Sequence, residues 1–228
     1  MGFSRYAIPQ QGTIVRSGEE VATLVRRTYT LVFASVLVTI GAAAYAMTNQ
    51  AMMNAVIAHP WIMLLCTFVP LMLAQASRNS FPQNIGFVFL FTFAEGLYMA
   101  PFIALAEAHS PGVASQAGLL TFAAFGTLTT YAFLSRRDFS AWRGFLMVGV
   151  VVLLVTMVIM AITGSTAGYT WIASIGVMLF AGLLVYDTSR LRNVFGPDDY
   201  VLAAVRIYLD LLNMFIFIVS LLSGGRKN

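Results

Sequence analysis

The chain has 228 residues, of which 59% are hydrophobic and only 10% charged. Soluble domains carry about 25% charged residues, so this composition excludes an ordinary soluble domain. The formal net charge is +4, and the placement of that excess decides whether it points to nucleic acid or to a membrane surface.

A hydrocarbon core of about 30 Å needs roughly 20 apolar residues per helical span. Seven stretches qualify, at 28–47, 59–76, 84–106, 113–134, 142–163, 169–190 and 202–222. Their runs are continuous, unlike the alternating segments of about ten residues that build a membrane β-barrel. The expected fold is therefore all-α, a polytopic membrane protein whose short connections draw seven helices into one transmembrane domain over 28–222. A polar tail, 1–27, with Pro9, Gly12, Glu19 and Glu20, reads as irregular. It has no apolar h-region of a cleaved signal peptide, so the first span is expected to serve as its own insertion signal. A short polar tail, 223–228, closes the chain.

Taken along the chain, the basic residues fall in an ordered pattern. Arg5, Arg16, Arg26 and Arg27 precede span 1, and Arg78 follows span 2. Arg136, Arg137 and Arg143 lie between spans 4 and 5; Arg190, Arg192 and Arg206 surround the connection from span 6 to span 7. The connections around Asn49, His109 and Ser165 have none. The positive-inside rule makes the arginine-bearing side, and with it the N-terminus, cytoplasmic. Arg226 and Lys227 depart from the pattern if span 7 crosses fully. The charge is thus explained by orientation and by attraction to anionic membrane lipids, and no nucleic-acid partner is needed. Trp61, Trp142 and Trp171 each start a span, as interface anchors do. Cys66, the single cysteine, reads as a small lipid- or core-facing residue. His59 and His109 fall in outer connections and read as solvent-exposed rather than as ligands.

Three of the nine acids lie within spans: Glu95, Asp187 and Asp210. A charge in hydrocarbon costs about 2.5–3.5 kcal/mol on insertion scales, so such residues face a bundle interior or water. At 1.5 Å per residue Asp187 lies about 5 Å from the cytoplasmic end of span 6, and Asp210 about 12 Å along span 7. The two carboxylates sit on consecutive antiparallel helices at depths about 7 Å apart, so they can meet. Two acids in a low-dielectric site cannot both ionise cheaply, and a shared proton would make the pair a pH sensor whose anionic form attracts cations. Spacing leaves a second reading open. Arg190 is three residues after Asp187 and Arg206 four before Asp210, so both acids could be held in same-face salt bridges. Asp198 or Asp199 reads as the N-cap of span 7. Asn213 could orient the Asp210 carboxylate, or serve as interhelical glue; Tyr186 and Tyr208 could donate to the acids, or anchor at an interface. Glu95 reads either as an acidic rung on an ion path or as a protonated acid bonded across helices. Pro101 bends span 3 or serves packing.

The segments LLVYDTSRL (183–191) and RIYLDLLNMFIFIVSLL (206–222), with FTFAEGLYMAP (91–101) in span 3, resemble the Bax inhibitor-1 family, also called the transmembrane Bax inhibitor motif family. The resemblance runs from span 1 onwards. It implies a bundle of six helices wrapped around a central last helix. It also implies a calcium leak modulated by pH, across intracellular or bacterial membranes, and suppression of stress-induced cell death in eukaryotes. On this resemblance Asp187 and Asp210 form the di-aspartyl pH sensor and ion gate, and a weak, transient calcium site. Arg78 takes the place of the basic residue that latches the pore, bonded to Asp187; Arg206, Glu95, Asn213, Tyr186 and Tyr208 are supporting candidates. Calcium is then the transported ion and no cofactor is expected. The arginine-rich basic set and compact size favour a bacterial inner membrane.

Two other functions use the same residues. One is a calcium/proton exchanger, distinguished by obligatory proton counterflow. The other is a non-conducting regulator that binds another membrane protein. An enzyme is not expected, since GxSxG, HExxH and phosphate-loop motifs are all missing. IYLDLLN also lacks the glycines that flank the second acid of an aspartyl intramembrane protease.

Overall fold

A computed structural model describes residues 18–77, 80–135, 137–164, 168–196 and 198–224. Those residues form eight helices and no strand: α1 (Gly18–Thr48), α2 (Gln50–Ala58), α3 (Pro60–Ala76), α4 (Gln83–His109), α5 (Val113–Leu134), α6 (Trp142–Thr163), α7 (Tyr169–Asn193) and α8 (Tyr200–Gly224).

The expected spans are all present as helices, with three corrections. The first concerns the N-terminal tail, read as irregular up to residue 27. Helix α1 begins at Gly18. Its buried residues Leu24, Thr28, Leu31, Val32, Ser35, Thr39, Ala42, Ala43 and Ala46 recur every three or four positions, and this stripe extends the helix beyond the apolar run. Glu19 and Glu20 in the first turn complement the positive end of the helix dipole.

The second concerns the stretch around Asn49, read as a connection. It forms the nine-residue helix α2. Asn49 caps it by accepting a hydrogen bond from the Met52 N–H at 3.1 Å, and Pro60 opens α3 at a position where its missing N–H costs nothing. The two helices meet at 91°. Helix α3 has 17 residues, about 25 Å of rise, short for a hydrocarbon core. Six helices are therefore long and apolar enough to cross a membrane by themselves, and the bent α2–α3 pair supplies a seventh crossing when counted as one span. The C-terminal tail also starts later than expected, because α8 runs to Gly224.

The last helix is the central one. Helix α8 packs on α1, α3, α4, α5 and α7. Of its most apolar stretch 56% is buried inside the bundle, against 11% for α6. Helix α6 is the outermost of the surrounding helices: its backbone packs only on α7 among the described residues, and Leu153 joins Ala173 of α7 and Phe217 of α8 in one apolar cluster. Helix α6 carries the most apolar stretch of the six, and its side chains at Phe145, Val148 and Ile162 point outward. Such a surface is what lipid solvates. Cys66 and Trp61 of α3, Trp142 of α6 and Trp171 of α7 are exposed as well.

Between helices that share apolar surface with lipid, packing depends on close backbone approach, and small residues permit it. A Cβ at Gly96 on α4 would collide with the Thr39 carbonyl oxygen and sit 2.8 Å from the Ala42 Cβ, both on α1. A Cβ at Gly176 on α7 would lie 2.6 Å from the Phe217 ring of α8, which stacks on Phe180 at 5.8 Å. At the arginine-rich end, Arg192 of α7 donates from Nη1 to the Phe133 and Ser135 carbonyls at 3.2 and 2.9 Å, satisfying acceptors that end α5. In the following connection Asp138 accepts from the Ser140 N–H and hydroxyl, each at 2.8 Å. These bonds hold its carboxyl below the usual carboxylate range.

The same substitution should have opposite effects at two glycines of α4. Gly96→Ala is expected to destabilise by about 1–3 kcal/mol through overpacking. Gly86→Ala, with nothing within 4 Å of its added Cβ, should be neutral or stabilising by up to about 1 kcal/mol. Thermal unfolding in detergent of both variants beside the parent chain checks this contrast.

Candidate functional site

Helices α7 and α8 form an antiparallel hairpin joined by residues 194–199. The Val194 and Phe195 N–H groups both donate to the Arg190 carbonyl, at 2.8 and 3.0 Å, and close α7. Asp199 sits at the N-cap position of α8, its carbonyl accepting from the Ala203 N–H at 2.9 Å. Its carboxylate turns back instead to the Gly196 N–H at 2.8 Å. The expected cap is therefore a brace for the turn, which is tight enough to keep the two helices side by side.

This hairpin brings Asp187 and Asp210 together. They are 6% and 5% exposed; the charges of Asp187 and Arg206 act on Asp210, and those of Arg206 and Arg190 act on Asp187. Two cations reach the pair, and both reach the same acid. Arg190 Nη1 and Arg206 Nη1 each lie 3.7 Å from Asp187 Oδ1. These are ion-pair rather than hydrogen-bond distances, and Asp187 Oδ1 and Asp210 Oδ2 are both buried without a hydrogen-bond partner.

The Arg190–Asp187 contact follows the helical spacing. Arg206 does not: its spacing allowed a bridge to Asp210 on its own helix, but it crosses to α7 and pairs with Asp187. Asp210 is left with neither a salt bridge nor a hydrogen bond among the described residues. The reason is the depth difference. Asp187 lies near the helix ends, within reach of two side chains rooted at the interface, and Asp210 lies deeper. Arg190 is also braced by rings, its guanidinium carbon 5.7 Å from the Tyr186 centroid and 4.6 Å from that of Phe195.

The other candidates divide. Tyr208 is buried, but its hydroxyl bonds Thr39 Oγ1 at 2.7 Å rather than an acid, and its ring meets Phe91 edge-on at 5.6 Å. Tyr186 packs in the apolar cluster with Leu146 and Leu183 and serves Arg190 by its face. Asn213 donates to the Leu209 carbonyl of its own helix at 2.7 Å, so it does not orient Asp210. Glu95 lies half-buried on α4, close enough to act on Tyr208 electrostatically. It makes no hydrogen bond or ion pair among the described residues, so the expected bond across helices is not formed. Arg78 lies outside the described residues. No third His, Cys, Asp or Glu joins the two acids among the described residues.

Two polar contacts near the pair went unread in the sequence. Tyr29 Oη of α1 meets Thr188 Oγ1 of α7 at 3.4 Å, one residue beyond Asp187. Thr39 binds Tyr208 and also contacts the Ser35 and Thr92 carbonyls, each at 3.0 Å, tying α1 to α4 and α8. A signal was present: Thr28, Ser35 and Thr39 lie on the one buried stripe of α1, and hydroxyls on a buried membrane-helix face bond across helices.

These features define a class, an integral multi-pass helical membrane protein with a buried acidic pair at the seam between its last two helices. The family model described as "Inhibitor of apoptosis-promoting Bax1" matches residues 21–228, and the chain belongs to that family, the Bax inhibitor-1 family. It is 31% identical to Bax inhibitor 1 of Schizosaccharomyces pombe over 174 residues, covering 75% of this chain and 64% of the yeast protein. It is 29% identical to protein lifeguard 4 of Mus musculus, over 89% of this chain and 85% of the mouse protein. An uncharacterized protein of Deinococcus radiodurans is 30% identical over 96% of both chains. The chain thus spans just under two thirds of the yeast relative and nearly all of the bacterial one.

Double-mutant cycles should separate the two arginines. The cycle pairing Asp187→Asn with Arg206→Gln is expected to give a coupling of only about 0.2–1 kcal/mol, because the Arg206 side chain is 43% exposed and screened. The cycle with Arg190→Gln, whose head is 21% exposed and held between rings, should give the larger coupling. Unfolding free energies of the four-member sets measure both.

Proposed function

We propose that the chain is a pH-sensitive cation leak channel, with calcium as the carried ion and Asp187 and Asp210 as sensor and gate. The observation that carries this reading is the burial of two carboxylates on the facing helices of one hairpin, each with a buried oxygen that lacks a hydrogen bond. A purely structural pair would be expected to satisfy those atoms, since an unbonded buried acid is costly. Sites that hold and release protons or ions keep such atoms free.

The chemistry follows from the charges present. With one proton shared, the acids carry one negative charge; both arginines sit on Asp187 and none on Asp210, so in this reading the proton takes the place of a cation at the deeper acid. The α7–α8 seam is then closed. Loss of the proton adds a second negative charge that must be hydrated or paired, which biases the helices apart; a few kcal/mol suffices for such a switch. Calcium prefers carboxylate oxygens and tolerates irregular geometry. With two acidic ligands it would keep most of its water and bind weakly, as an ion that must also leave requires. Arg206, half in solvent, is the group a cation would replace beside Asp187. In this reading it closes the seam from within the α7–α8 hairpin, where Arg78 would act from the end of α3.

The same proposal sets the chain in a bacterial inner membrane with its N-terminus in the cytoplasm. Support comes from the arginines gathered at one set of helix ends and from the full-length likeness to the Deinococcus protein. The family description and the name of the yeast relative support a role in suppressing cell death, through ion homeostasis under stress.

Calcium entry into liposomes containing the purified chain, at mildly acidic and mildly alkaline pH, tests the reading. Wild type should leak in a pH-dependent manner, and that dependence should vanish in Asp187→Asn and in Asp210→Asn. Arg206→Gln should raise the flux at acidic pH several-fold. Flux no greater than in empty liposomes, with folded protein, would overturn the channel in favour of a regulator of another membrane protein. Flux that stops when proton counterflow is blocked would make it an exchanger.

A further inference from the structure

At the arginine-rich end of the bundle a cleft of about 850 Å³, lined by neither Asp187 nor Asp210, opens between the starts of α1, α4 and α8. Its mouth carries Arg26 and Arg27 on α1, with Tyr200 of α8 opposite. Its inner wall is apolar, formed by Leu31 and Ala34 of α1 and Ile85 and Phe89 of α4. Arg27, Leu31 and Ala34 lie on one face of α1, and Ala34 is about 10 Å further along the axis than Arg27. The cleft therefore passes from charge to hydrocarbon over the distance in which a bilayer does the same.

Among the described residues neither arginine has an ion-pair partner. Both described ion pairs are made to Asp187, and Arg26 and Arg27 are exposed with no carboxylate in ion-pair range among the described residues. Arg27 lies over the Tyr200 ring at 5.8 Å, which holds its guanidinium across the cleft. Asp198 is the only acid among the described residues of the wall, so that lining is net positive. A planar guanidinium binds phosphate oxygens in pairs, and basic clefts between membrane helices take anionic headgroups.

We infer that this cleft is a binding site for an anionic phospholipid, its phosphate held by Arg26 and Arg27 and one acyl chain lying along Leu31, Ala34, Ile85 and Phe89. The apolar wall is what selects a lipid over a soluble phosphate, which would leave it bare. This site is independent of the cation path, and its occupancy would tie α1 to α4 and α8 whether or not the chain conducts.

Native mass spectrometry of the full chain, released from micelles with equal phosphatidylglycerol and phosphatidylcholine, tests the site. The anionic lipid should be retained several-fold over the neutral one. The double variant Arg26→Gln, Arg27→Gln should lose that preference, and Arg137→Gln, Arg143→Gln, altered at the same face but outside the cleft, should keep it. Ala34→Trp, which fills the apolar wall, should weaken retention while leaving the arginines in place. Equal retention of the two lipids overturns the inference, as does a preference unchanged in the Arg26/Arg27 variant. Displacement of the lipid by excess inorganic phosphate would also overturn it, reducing the site to a soluble-anion patch. All four arginines are exposed, so both double variants should fold, and circular dichroism of each confirms it.

Discussion

The structure depends on how two carboxylates are accommodated inside an apolar bundle. A lone ionised acid cannot be held there, because its desolvation is worth several kcal/mol after relaxation and water penetration. The chain places both acids on one hairpin, near enough to influence each other, and brings two guanidinium groups to the shallower one. Compensation is partial by design of the geometry: Asp187 receives both cations and Asp210 neither. The deeper acid is thus left with the charges of its neighbours and no direct partner among the described residues.

That arrangement requires α8 to be central and its neighbours to be close. Glycine at 96 and 176 and the alanines of α1 allow helix axes to approach where larger side chains would hold them apart. Hydroxyls then bond across the contacts, Thr39 to Tyr208 and Tyr29 to Thr188. In lipid the hydrophobic effect does little to drive helix on helix, so such packing and bonding carry the association. Helix α6, without a polar stripe and facing lipid, stays at the periphery on α7.

The arginines gathered at one end of the bundle do more than carry charge. Arg192 ends α5, Arg190 is braced by Tyr186 and Phe195 and pairs with Asp187, Arg206 crosses the hairpin, and Arg26 with Arg27 edges a cleft. A long stem lets each guanidinium reach an acceptor at the interface while its backbone stays in the helix. Lysine, a point charge without a planar fork, would not serve the carbonyl pair at α5 or the ring contacts as well.

Apolar run length was enough to establish the membrane class and the spans, and it put Asp187 and Asp210 at similar depths on consecutive helices, because bilayer thickness and helical rise are fixed lengths against which residues can be counted. Run length missed the first turns of α1 and the short helix α2, since amphipathic burial and an Asn cap, rather than continuous hydrophobicity, create those helices. Side-chain direction was beyond it as well. Same-helix spacing offered Arg206 to Asp210, and only the hairpin showed it reaching Asp187; Tyr208 and Asn213 sit beside the acid in sequence yet bond elsewhere. The centrality of α8, the peripheral place of α6 and the cleft at Arg26 likewise depend on which faces of separate helices meet. Those were tertiary decisions, because interhelical contacts join residues far apart in the chain, and no local period records them.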